Sequence, residues 1–234
     1  MWVAGADGCK RGWICASRNT STGELRFELV DTTPALMKLI PQPEIVCVDI
    51  PIGLPDRGAR ECDRLARVLL GWPRRSSVFP APVRPALTAT GREEASQITA
   101  RIDGRRVGAQ AWALYAKVRA MDALLRGNAD ARRRIREVHP EVSFWAWNGQ
   151  QSIQEGKKTP PGRKKRLRLV ESWLGAGILD AARAGRTRRE LGDDDILDAV
   201  AVLWTATRVA TGSAQTLPEA PPLDAIGLRM EIVY

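Results

Sequence analysis

The chain has 234 residues, 44% of them apolar, and its 36 lysines and arginines outnumber 27 aspartates and glutamates, for a formal charge of +9. The apolar share excludes a disordered chain and suffices for one large domain or two small ones, while the excess positive charge favours a polyanionic partner where it is clustered. No run of about 18 uncharged apolar residues occurs, and the start MWVAGADGCKRGW lacks the basic segment, long apolar run and cleavage site of a secretory signal, so a cytoplasmic protein with no membrane contact is expected.

The first fifty residues read as strands. WVAGAD is short and apolar, GWICAS follows a Gly-bounded turn, and LRFELVD alternates like a half-buried antiparallel strand, which together predict a meander. After a short helical stretch near PALMKLI comes EIVCVDI, a continuous apolar run suited to a strand covered on both faces. Cys62, Leu65, Ala66, Leu69 and Leu70 fall on one helical face that stops at Gly71 and Pro73. Arg74 to Gly91 is broken by prolines and reads as a long surface loop.

Ala111, Leu114, Tyr115, Val118, Met121 and Leu125 then predict an amphipathic helix that stops at Gly127 or Asn128. RIREV reads as a short strand leading into HPEVSFWAWNG. A Pro-Gly loop precedes a basic helix from about Arg163 to Leu174, the apolar helix DDDILDAVAVLW follows, and GLRMEIVY could add an edge strand. No repeat or composition break forces a boundary, so residues 1–234 are expected to form a single domain, with a loop and helix insertion at about 72–130. Cys9, Cys15, Cys47 and Cys62 show no CxxC pair or histidine at zinc spacing, and read as reduced, buried thiols.

The chemistry concentrates on aspartates. The first apolar strand ends in Asp7 and EIVCVD ends in Asp49, and in open α/β sheets sites form outside the carboxyl ends of strands. Asp193, Asp194 and Asp195 suit the first turn of a helix, but Asp198 is surrounded by Ile196, Leu197, Ala199, Val200, Ala201 and Val202 and needs a buried partner. Asp195 and Asp198 share one helical face, a spacing that fits either a structural salt bridge or a metal site. Carboxylates gathered in one place tolerate each other only around a cation or bound protons.

The successive segments GADGCKRGW, VDIPIGLP, RECDRLAR, SSVFPAP, REVHPEVSFWAWNG and DDDILDAVAVLWTA resemble the motifs of the domain of unknown function 429 family, described as predicted RNase H-like nucleases. The resemblance spans nearly the whole chain. It implies an α/β fold with a ribonuclease H-like mixed sheet, three antiparallel strands followed by parallel strands, flanked by helices. It also implies an acidic site made of Asp7, Asp49, Asp195 and Asp198, with one or two Mg2+ or Mn2+ ions as cofactor and phosphodiester hydrolysis on nucleic acid as the activity. The paired aspartates of the last long helix are similar to those of Holliday-junction resolvases, a fold-level analogy.

Glu137, His139 and Glu141 alternate and would share one side of an extended segment, either as a hydrogen-bonded strand end or, for Glu137 and His139, as ligand or proton carrier. Lys10, Arg11, Lys157, Lys158, Arg163 and Lys164 are the candidate backbone contacts for nucleic acid, since the last four lie in the basic stretch KKTPPGRKKRLR. Trp145 and Trp147 fit packing better than base stacking. Two other classes stay open: an ATP-binding phosphotransferase of the actin and sugar-kinase superfamily, and a non-catalytic nucleic-acid-binding module.

Overall fold

The computed structural model describes residues 1–234. Strands β1 (Trp2–Cys9), β2 (Gly12–Asn19) and β3 (Leu25–Val30) form the expected antiparallel meander, and β4 (Ile45–Val48) and β5 (Ile135–Glu137) extend it as parallel strands in the order β3-β2-β1-β4-β5. The result is an α/β fold built on a mixed five-stranded sheet with helices on both faces.

Alternation along β1 divides the core. Ala4 and Ala6 point to one side, where Val118, Met121 and Leu125 of α3 (Ala109–Gly127) and Ala131 of α4 (Ala129–Arg134) cover them. Val3 points to the other, against Leu197, Val200 and Leu203 of α8 (Asp193–Ala210), Phe144 of α5 (Pro140–Trp147) and Val170 of α6 (Pro160–Leu174). The remaining helices are α1 (Glu61–Leu70), α2 (Arg92–Asp103) and α7 (Ile178–Arg183). No helix is long and apolar enough to cross a membrane.

The structure differs from the sequence reading at several places, and α4 and α7 are among the elements it adds. α2 was not anticipated, because REEASQITARID carries only a sparse apolar stripe. The 74–91 segment is mostly irregular but contains two short 3-10 turns, Arg74–Ser77 and Arg84–Thr88. The C-terminal segment forms β7 (Ile232–Val233), which pairs with β6 (Thr216–Leu217) in a separate ribbon and is bridged from Val233 to Val138, just past β5. Pro140 starts α5, so Glu141 lies in its first turn and not on an extended segment with Glu137.

The closest helix–sheet approach is at Gly5. A Cβ there would lie 2.1 Å from the backbone nitrogen of Leu203 and 2.6 Å from the carbonyl oxygen of Ala199. Neither atom can yield without moving α8. Gly5→Ala is therefore expected to lower unfolding free energy by about 3 kcal/mol or to prevent folding, as read from urea denaturation, whereas Gly127→Ala, at the end of α3 with open space around its Cβ, serves as the control that loses no stability.

Candidate functional site

The register of β1 against β4 aligns Ala6 with Val48, and the amide of Asp49 donates to the carbonyl of Ala6 at 3.1 Å. The next residues, Asp7 and Asp49, therefore leave neighbouring strands side by side at their carboxyl ends. α8 crosses beneath them because Gly5 lets its backbone come close, which brings Asp198 and Asp195 to the same place. All four line one cleft of about 800 Å³.

The acidic start of α8 divides into separate roles. Asp193 is buried and structural: Arg163 donates to it at 2.9 Å and Arg183 lies against its other oxygen. Asp194 faces Lys158 at 4.0 Å. Asp195 accepts from the Gly192 amide at 3.4 Å, capping the helix while also bordering the cleft. Asp198 is 1% exposed and its Oδ2 is held by the Lys157 ammonium, which reaches in from the loop before α6. Its other oxygen, Oδ1, has no hydrogen-bond partner.

Crowding sets the protonation of this floor. Burial, followed by repulsion from Asp49 and Asp198, pushes the Asp7 carboxyl well above the ordinary carboxylate range. Asp49 is also raised by burial, against the opposing pull of His139, Lys157 and a hydrogen bond from Asp7. Of the two, Asp7 is the one that burial and crowding push further toward its neutral form. Burial pushes Asp198 up to about 6 despite Lys157, and burial with the neighbouring Asp194 raises Asp195. Lys157 stays charged, held above the lysine range first by Asp198 and then by Asp7 and Asp49.

This arrangement corrects the expected metal centre. No group of three or more His, Cys, Asp or Glu side chains is disposed to hold a metal ion. Asp198 is joined to Lys157, so the positive charge at this floor comes from the chain itself. The expectation that Asp7, Asp49, Asp195 and Asp198 ligate one or two Mg2+ or Mn2+ ions is overturned, and with it the metal-dependent nuclease or hydrolase activity.

The walls are built from two buried ion-pair systems. Arg60 donates to both oxygens of Glu137 at 2.6 and 2.7 Å, to Asp63 at 2.6 Å and to the Ile52 carbonyl at 2.8 Å. The Ile52 amide also donates to Glu137 at 2.6 Å, so both carboxylate oxygens of Glu137 are committed. Glu141 accepts two bonds of 2.7 Å from Arg166. His139 Nε2 is 3.3 Å from the Ser77 carbonyl, an acceptor, so this nitrogen carries a proton, and the buried Nδ1 has no hydrogen-bond partner.

Of the basic residues singled out from sequence, Lys10, Lys157 and Lys158 line the cleft, whereas Arg11 and Lys164 do not and Arg163 is turned to Asp193. Two cations that sequence reasoning missed join the rim. Arg74 forms no ion pair, and Lys117 donates to the Cys9 carbonyl at 3.2 Å with its stem over Gly8. Lys117 did carry a signal: it stands between Leu114 and Met121 beside the apolar stripe of α3, where a lysine stem packs and its ammonium must find an outlet.

Two outcomes follow for stability. Lys157 is 38% exposed, so Lys157→Met is expected to cost about 1–2 kcal/mol at pH 8 rather than the larger penalty of a fully buried pair, with the loss shrinking as pH falls toward about 6, because Asp198 without Lys157 takes up its proton at a higher pH than in the parent. A raised folded-state pKa at Asp7 means stability that is present below the ordinary carboxylate value and lost as pH rises through the folded one. Asp7→Asn stays neutral and can still donate to Asp49, so it should be as stable as the parent in acid and more stable at pH 8. Chemical denaturation at several pH values checks both.

Neither a curated protein sequence nor a solved structure matches the chain. Residues 5–223 match the family described as protein of unknown function (DUF429). With nearly the whole chain inside that match, the protein belongs to the DUF429 family.

Proposed function

We propose that the protein binds nucleic acid by its sugar–phosphate backbone, in the cleft over Asp7, Asp49 and Asp198, and that its fold is ribonuclease H-like, with residues 72–130 as an insertion. The strand order β3-β2-β1-β4-β5, with the first three strands antiparallel and the last two parallel to β1, supports the fold assignment.

One observation carries the binding assignment: the chain's own Lys157 already engages the buried Asp198 on the floor, while the rim keeps cations that no carboxylate engages closely. Lys10, Arg74 and Lys117 form no ion pair, and Lys158, whose side chain is 83% exposed, reaches Asp194 only at 4.0 Å. Charges left free at the mouth of a cleft attract a polyanion and release its counterions on contact. These residues would touch phosphates and not base edges, so the reading carries no sequence preference.

The test is a salt titration of binding to labelled single-stranded, duplex and hybrid oligonucleotides. Lys10→Glu/Lys158→Glu is expected to weaken binding on every sequence and to reduce the logarithmic salt slope by about 1.4 on single strands, about 0.7 for each phosphate no longer neutralised. Equal slopes for parent and double variant, or no binding to any oligonucleotide at low salt, would remove this function.

A further inference from the structure

Most large apolar side chains of this protein are buried, yet three exposed ones fall within twelve residues of each other: Val68, Trp72 and Phe79, at 69%, 75% and 37% exposure. Val68 and Trp72 line a second, shallow depression of about 500 Å³ at the end of α1, together with Arg64, Arg67, Arg75 and Ser76. Phe79 lines the main cleft, and Ser76 belongs to both. The two depressions therefore border one another at Ser76.

The chemistry of this depression is an indole surrounded by guanidinium groups. Arg75 lies over the Trp72 ring with its Cζ 5.6 Å from the centroid, so it covers one face at most and the high exposure leaves the other open. Arg64 is paired with Glu61, and Arg67 is tied to the Val78 carbonyl at 2.7 and 3.0 Å. Arg75 forms no ion pair, and neither does Arg74 on the cleft side. A planar apolar face with uncompensated cations beside it fits a base on the ring and phosphates on the arginines, because every base has a π-face and base–aromatic stacking is indifferent to sequence. A wholly apolar protein partner would leave those cations buried without counter-charge.

We propose that Trp72 is a stacking platform for a base of single-stranded nucleic acid leaving the cleft past Ser76, with Arg74 and Arg75 holding the adjoining phosphates. This rests on the nucleic-acid reading of the cleft. It adds a substrate class, an unpaired strand, to that reading.

The experiment compares Trp72→Ala, Trp72→Phe and Arg75→Glu with the parent protein and with Lys10→Glu/Lys158→Glu, using a single-stranded oligonucleotide, its duplex and an abasic strand of the same length. Trp72→Ala is expected to weaken binding to the single strand about tenfold, to leave the abasic strand unaffected and to leave thermal stability unchanged, since the ring is mostly in solvent. Trp72→Phe should retain most of the affinity, and Arg75→Glu should reduce the salt slope by about 0.7. Unchanged single-strand binding by Trp72→Ala, alongside weaker binding by the lysine double variant, overturns the platform and leaves the cleft reading standing. Equal weakening on the abasic strand also overturns it, as does a parent dimer that Trp72→Ala converts to monomer without changing oligonucleotide binding. A parent protein that binds no oligonucleotide removes the cleft reading and the platform together.

Discussion

Three aspartates from three separate segments share one buried floor, and each would be repelled by the other two. Gly5 forces this, because the contact that packs α8 onto β1 also carries Asp198 under the ends of β1 and β4. The fold answers the conflict in two ways: burial and crowding push Asp7 and Asp49 toward their neutral forms, and Lys157 lies against Asp198. The loop before α6 is consequently not free to drift, since removing its ammonium would leave a buried carboxylate alone. The position of that loop places Lys158 at the mouth of the cleft.

A similar logic shapes the walls. Arg60 directs its donors to Glu137, Asp63 and the Ile52 carbonyl, linking the start of α1, the end of β5 and the turn after β4. Arg166 does the same between α6 and α5 through Glu141. In both systems the carboxylates are saturated with donors, as buried charges must be. Among the buried polar atoms without a partner, Asp198 Oδ1 and His139 Nδ1 belong to residues of the cleft, which is where an incoming ligand could supply one.

Much of this was written locally. The alternation of LRFELV, the unbroken apolar run of IVCV and the apolar helix around Asp198 each reflect burial of nearby residues, and local pattern records burial well. The convergence of Asp7, Asp49, Asp195 and Asp198 followed from strand ends and helical spacing. What pattern could not record was the partner: Lys157 is 41 residues from Asp198, and Arg60 is 77 from Glu137. Counting carboxylates without the cation opposite them suggested a metal where the chain supplies an ammonium. Helix α2 escaped for a different reason, since its few apolar residues pack on the 84–88 turn and not on the main sheet.

Helix α1 is fastened at both ends, by Arg60 to Glu137 at its start and by Arg67 to the Val78 carbonyl near its finish. Ten residues of helix make a rod of about 15 Å, and a rod pinned at both ends cannot pivot. The distance between the sheet and the exposed indole after Gly71 is thereby set as on a ruler. Any molecule that touches both must match that fixed span, so lengthening α1 by one turn would change the footprint of the surface without altering a single residue that the molecule touches.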